Sequence, residues 1–158
     1  MKALLQRVRQ ASVSVGGEEV GKIGRGLAVF IGVAGGDSER DAQYLMKKII
    51  GLRIFTDDES KFNLSVQDVE GELLLVSQFT LLADTRKGRR PSFIEAAPPG
   101  HARELFDYCV ELARASGLVV ATGLFQQHMQ VEIHNDGPVT VMLDSRDKFR
   151  EAPKGEKL

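Results

Sequence analysis

Between two strand-like runs, Val131-Glu132-Ile133 and Val139-Thr140-Val141-Met142-Leu143, the chain places Asn135-Asp136-Gly137-Pro138. Proline has no N–H to give a sheet ladder, so the two runs are not one continuous central strand. A second interruption follows the apolar Leu73-Leu74-Leu75-Val76, where Ser77-Gln78-Phe79-Thr80-Leu81 sets hydroxyls and an amide in place of the valine or isoleucine a plain core would take. Both departures cost packing, and both therefore mark a candidate site.

The rest of the chain reads as alternating strands and helices. Val13 and Val15 alternate with Ser12 and Ser14, and Gly16-Gly17 then precedes Glu18 to Ile23, the pattern of a hairpin with a primed turn. Leu27 to Ala34 is a buried strand. Ser38-Glu39-Arg40-Asp41 resembles a capping box, after which Ala42, Leu45, Met46, Ile49 and Ile50 recur at helical spacing up to Gly51. Leu52 to Phe55 is a short strand, Thr56 to Ser65 a polar loop, and Glu72 to Gln78 a strand buried on both faces. Leu82 to Gly100 is a long connection rich in Pro and Gly, of the length that usually carries function or moves. Ala102, Leu105, Phe106, Cys109, Leu112 and Ala113 trace a second helix, stopped by Gly117. Strands at Leu118 to Thr122, Met129 to His134 and Val139 to Leu143 complete the core. From Asp144 onward the chain is mostly charged, and a loosely ordered tail is expected. The fold class implied is α/β: one domain with a curved, mixed, barrel-like β-sheet in β/β/α layers and two helices packed on one side.

The length of 158 residues suits one domain burying roughly two thirds of its unfolded surface. Lys and Arg total 21 against 22 Asp and Glu, for a net charge of -1, so bulk charge gives no nucleic-acid footprint and any RNA contact must be local. Cys109, the only cysteine, excludes an internal disulfide and reads as a packed core thiol in a reducing compartment. Lys2, Arg7 and Arg9 leave no signal-peptide core, and the apolar run Leu27 to Ala34 falls far short of the ~20 residues that span a bilayer. A cytoplasmic protein with no membrane partner is expected.

Several familiar sites fail. Gly24-Arg25-Gly26 and Gly32 to Gly36 complete no dinucleotide or P-loop fingerprint. His101, His128 and His134 lack the helical pairing of a metalloprotease, His101 is expected to be solvated in a first helical turn, and no metal or cofactor is expected. Asp57-Asp58 reads as a turn. No G-x-S-x-G elbow is present. Ser77 and Thr80 remain as hydroxyl nucleophiles without a histidine nearby in sequence, and the sequence leaves room for His128 or His134 to fold beside them. The plainer reading is that both hydroxyls bond backbone at a strand end.

Ser77 to Leu81 and Asn135 to Thr140 together resemble the two signature motifs of the D-aminoacyl-tRNA deacylases, of the D-tyrosyl-tRNA(Tyr) deacylase type. Gln6-Arg7-Val8, Arg86-Lys87-Gly88-Arg89-Arg90-Pro91-Ser92-Phe93 and Leu143-Asp144-Ser145-Arg146 extend the match, giving a deacylase domain over 1–146 and a polar tail over 147–158. Gln126-Gln127-His128 stands where the family usually has smaller residues. The resemblance implies hydrolysis of D-aminoacyl-tRNA in chiral proofreading, by a homodimer whose active site lies at the subunit interface. Gly137-Pro138, joined by a cis bond, would project from one subunit into the Ser77 to Thr80 pocket of the other and meet the α-ammonium with its carbonyl oxygens.

The backbone N–H groups around Gln78, Phe79 and Thr80 would polarise the ester, with Ser77 and the Gln78 amide positioning it. Phe125 and Met129 would wall the terminal-adenosine pocket. Arg86, Lys87, Arg89 and Arg90, the one dense positive cluster, suit tRNA phosphates, and Arg7 is a candidate support for the Gly137-Pro138 turn across the dimer. The expected partner is the 3′ end of aminoacylated tRNA, with no DNA. Two other readings stay open: a non-catalytic tRNA or RNA-binding module, for which the basic loop suffices, and a small-ester hydrolase that uses Thr80 as nucleophile.

Overall fold

A computed structural model of the chain describes residues 1–149. Its organising element is the long strand β1 (Lys2–Val15), antiparallel to every neighbour it has. One side of β1 pairs first with β3 (Gly26–Gly32) and then with β2 (Glu18–Ile23), and β8 (Gln130–Asp144) runs along the other side. Gly16 and Gly17 have φ of 58° and 83°, which is the left-handed pair a primed hairpin turn needs between β1 and β2. β3 pairs in parallel with β6 (Glu72–Ser77), and β6 in parallel with β7 (Val120–Thr122). The mixed sheet curls until Gly21 of β2 lies against the Thr122 carbonyl of β7, giving a nearly closed barrel.

Period-two alternation divides the apolar side chains between two cores. Leu27, Val29, Ile31, Leu73 and Leu75 face α1 (Glu39–Gly51) and α2 (Pro99–Ala115), both on the outer side of the sheet, while Ala28, Leu74 and Val76 face inward with Val8, Val13 and Ile23. The domain is α/β with both helices on one side. Ser38 opens α1 as expected, its N–H donating to Asp41 Oδ2 at 2.9 Å. Cys109, on the inner face of α2, is fully buried, and burial pushes its thiol up to about 12. Among the described residues no helix is long and apolar enough to cross a membrane.

Three expectations need correction. The polar stretch 56–65 contains half of a small hairpin, β4 (Phe55–Thr56) with β5 (Phe62–Leu64), too short to leave a periodic signal. The two strands read on either side of Gly137-Pro138 are one element that shares β1 as partner. Gln6 pairs with Thr140 and Val8 with Asn135, so residues 136–139 are looped out opposite Arg7 alone, and the proline removes no ladder bond. The chain from Asp144 is ordered at first. Asp144 closes β8, a 3-10 turn spans Ser145–Phe149, Ser145 is fully buried, and Lys148 Nζ lies 2.7 Å from Asp41 Oδ1. The remainder of the expected tail lies outside the described residues.

Candidate active site

The carboxyl end of β6 carries the first motif. Ser77 is the last strand residue, opposite Ile31, and the Gln78 N–H continues the ladder by donating to the Ile31 carbonyl at 2.8 Å. That bond corrects the sequence reading: the Gln78 N–H is committed to the sheet and is no donor for a substrate. The chain then turns into a 3-10 helix, Phe79–Leu82, pinned by the buried Leu82. The N–H groups of Phe79 and Thr80 head this turn, where the first donors of a helix have no partner inside it. The Gln78 side-chain amide donates to the Thr80 hydroxyl. Phe79 is 55% exposed and meets Phe93 edge-on at 5.0 Å.

Ser77, Gln78 and Phe79 line a cleft of about 570 Å3 together with Phe125 to Met129. Ala96, Ala97, Pro99 and Ala102 form part of its wall. These four went unremarked in the sequence because small apolar residues in a loop and a first helical turn have no chemical signature. Phe125 is held between the Phe106 ring at 6.5 Å and the Arg103 guanidinium at 5.7 Å, and Met129 lies across Gly123, whose missing Cβ would stand 2.6 Å from its sulfur. Gln126 is left-handed, at φ 62°, and with the Gln127 N–H donating to Leu124 O at 3.3 Å it forms a tight turn presenting Gln126, Gln127 and His128 to solvent. Thr80 is exposed and is not part of the cleft lining.

No histidine bonds Ser77 or Thr80 among the described residues. His101 is not solvated as expected, since its Nε2 lies 2.8 Å from Asp37 O, while His134 Nε2 faces Gln10 Nε2 at 3.3 Å. Asp37, which carried no signal in the sequence, also binds the Met1 ammonium at 2.7 Å. No three His, Cys, Asp or Glu side chains gather in a metal-binding group among the described residues.

The second motif is built with equal care but stands outside this cleft. Its Gly137–Pro138 peptide bond is cis. Asn135 staples the looped segment, accepting the Val139 N–H at 2.8 Å and donating to Val139 O at 3.2 Å and Thr140 Oγ1 at 3.1 Å. Gly137 has φ 146°, and a Cβ there would come within 2.7 Å of Val139 Cγ2 and 3.0 Å of Val139 N. Only glycine fits without displacement. Arg7, 8% exposed, donates from Nε to Asp136 O and from a terminal nitrogen to Ile54 O, each at 2.9 Å, and lies 5.5 Å from the Phe62 ring centroid. Arg7 thus braces the turn of its own chain.

The basic segment is an exposed loop closed by a two-way backbone bridge between Asp84 and Ser92. Arg86 grips Asp84 at 2.9 and 2.6 Å, and this hydrogen bonding holds the Asp84 carboxyl down at about 2. The Arg86 charge is therefore locally balanced, whereas Lys87, Arg89 and Arg90 form no ion pair among the described residues.

A family model described as D-Tyr-tRNA(Tyr) deacylase matches residues 4–144. A D-aminoacyl-tRNA deacylase of Dehalococcoides mccartyi is 62% identical over 149 residues, 94% of this chain and 97% of that protein. A solved structure described as a c-Myc DNA unwinding element binding protein is 41% identical with a TM-score of 0.86, covering 91% of this chain and 98% of its own. Another, a probable eukaryotic D-amino acid tRNA deacylase, shares the fold at 20% identity and a TM-score of 0.77, covering 90% of this chain and 97% of its own. Fold, cleft and relatives together define a hydrolase built on a small mixed α/β barrel. The chain belongs to the D-Tyr-tRNA(Tyr) deacylase family.

Proposed function

We propose that this protein hydrolyses the ester of D-aminoacyl-tRNA to free D-amino acid and tRNA, spares L-aminoacyl-tRNA, and works as a homodimer in the cytoplasm. One observation carries the reading. Ser77 to Phe79 and Phe125 to Met129 line a single cleft, while the rigidly braced Gly137-Pro138 turn does not line it in the same chain. A substrate touched by both motifs therefore needs a second copy to supply the turn. β8 supports this, since it has β1 as its only strand partner among the described residues and holds the turn on an edge strand.

The family resemblance assigns the Gly137 and Pro138 carbonyl oxygens to the α-ammonium of the aminoacyl group. With ammonium and ester both fixed, one handedness at Cα points its side chain outward and the other drives it into main chain. A fitted pocket gains only ~1–3 kcal/mol per methylene and would not serve many side chains, whereas rejection by backbone needs no knowledge of which side chain is present. Glycine offers nothing to reject, so glycyl-tRNA is also cleaved in some measure.

Hydrolysis needs little from side chains, because an aminoacyl ester is already activated. Water attacks the carbonyl carbon with the 2′-hydroxyl of the terminal ribose assisting. The Phe79 and Thr80 N–H groups receive the developing oxyanion, and the 3′ oxygen departs with a proton. An oxyanion donor contributes ~2.7–4 kcal/mol and good orientation up to ~7–11 kcal/mol. Ser77 and the Gln78 amide position the ester, Phe125 and Met129 flank the terminal adenosine, and Lys87, Arg89 and Arg90 face phosphates. Of the alternatives, the small-ester hydrolase would need an activated Thr80, whose hydroxyl instead accepts the Gln78 amide.

The test is deacylation of one tRNA charged in parallel with the D-form, the L-form and glycine. D-amino acid is released fastest, glycine detectably at high enzyme, and the L-form stays attached. Binding without turnover would favour the non-catalytic module, and equal release of both mirror forms would remove the chiral reading.

A further inference from the structure

We propose that the groove running from the cleft past His128 to the β1–β2 turn holds the penultimate nucleotide of the substrate RNA, its base stacked on the His128 imidazole. The proposal rests on the deacylase reading and adds where the nucleic acid leaves the site. His128 and Met129 line both the cleft and a second depression of about 450 Å3, whose other lining residues are Ser14, Gly16, Gly17 and Gln130. The two hollows therefore share a wall at His128 and Met129, with Ser77 to Phe79 and Phe125 lining the first and the hairpin tip lining the second.

In this arrangement an adenosine between Phe125 and Met129, esterified toward Ser77, would turn its 5′ side toward this second hollow. The lining there has no Lys, Arg, Asp or Glu side chain. Ser14, Gln130 and His128 offer hydrogen-bonding groups with no fixed charge, which suits the edges of a base or a ribose better than a phosphate. The glycine turn keeps the floor open, since nothing lies within 4 Å of where a Cβ of Gly16 or Gly17 would be. The left-handed Gln126 fixes the turn from which the exposed His128 projects, and an imidazole is a stacking surface that any base can use. The basic loop, by contrast, adjoins the cleft through Phe93 on Phe79 and is left to contact more distant phosphates.

The test compares two substrates on the whole protein: D-aminoacyl-tRNA and the D-aminoacyl ester of adenosine alone. His128→Ala raises KM for the tRNA about tenfold, the range of one base-stacking contact, with kcat little changed, and its effect on the nucleoside ester is less than twofold. His128→Phe, which keeps a stacking face, restores the tRNA KM. Gln130→Glu, outside the cleft, sets a negative charge in the groove and raises KM for the tRNA alone. Two results would overturn the assignment. An unchanged tRNA KM in both His128→Ala and Gln130→Glu would send the RNA out by another route, and a KM raised equally on both substrates would place His128 on the terminal nucleoside itself. Wild-type protein that cleaves neither substrate would instead refute the deacylase reading, and this proposal with it.

Discussion

Thr80 separates the two chemical routes open to the first motif. Its hydroxyl accepts the Gln78 amide and is bonded by no histidine among the described residues, so it lacks the base that makes a hydroxyl nucleophilic. Thr80→Val keeps the backbone N–H and removes one hydrogen bond worth about 1 kcal/mol, and deacylation by the variant falls by less than about tenfold. A loss of several orders of magnitude in a folded variant would establish covalent catalysis. Arg7 makes the complementary case. It is buried and satisfies two main-chain carbonyls, and Arg7→Ala strands both. Unfolding free energy drops by about 2–4 kcal/mol in denaturant titration, and L-aminoacyl-tRNA begins to be cleaved as the Gly137-Pro138 turn loosens. A variant as stable and as selective as the parent would refute the bracing role. At this scale the breaks in apolar pattern at Ser77 to Thr80 and at Gly137-Pro138 coincide with the end of β6 and with the looped-out segment of β8. It did not reveal that the Gln78 N–H is already used, because that depends on the register of β6 against β3.

Elements with a strong period were legible, and those held by distant polar contacts were not. Helices α1 and α2 announced themselves through apolar spacing, and β6 through its unbroken Leu73 to Val76. The 3-10 turn Ser145–Phe149 has no period at all. It is held by the Ser145 N–H on Met1 O at 2.9 Å and by Lys148 on Asp41, contacts that span most of the chain. Burial alone would raise the Asp41 carboxyl. The Lys148 ammonium, the Ser38 N–H and the Ser145 hydroxyl outweigh it and hold Asp41 well below the usual carboxylate range. A depressed folded pKa contributes stability that is complete above the unfolded value, near pH 4, and is lost as pH falls from there toward the folded one. Asp41→Asn therefore melts below wild type by a constant margin from pH 8 to about pH 5, and the margin closes at lower pH in thermal scans. A margin independent of pH would show that the carboxylate charge is not what stabilises the joint. For the basic loop, replacing Lys87, Arg89 and Arg90 with Gln weakens tRNA binding and lowers the slope of log affinity against log salt by about 2–3. Adding Arg86 to the set changes little further, because Asp84 already offsets it. An unaltered slope would take the loop out of the interface.

For the molecule as a whole, the test of the cross-subunit site is complementation. Gly137→Val breaks the turn, since any Cβ there meets Val139, and Phe79→Pro removes one oxyanion donor from the first motif. Neither homodimer is active. Mixed and re-formed, the two chains produce heterodimers carrying one intact composite site each, and activity returns to roughly a quarter of wild type. No recovery would place both motifs on one chain's own substrate. The curled sheet, its single domain and its two helices on one side followed from strand and helix order alone. What no local pattern conveyed was that β1 serves as a neighbour to three strands, which depends on long-range pairing along both its edges. That shared neighbour has a mechanical outcome. Reading across β8, β1, β3 and β6, the turn at Gly137 and the carboxyl end of β6 at Ser77 are anchored to the same backbone ladder. The chain is thus a caliper of set span. In the two-fold pair proposed above, the jaws of both gauges would be cut to one measure, and neither gap would widen for a bulky cargo of the rejected hand without shearing the sheet that defines the other.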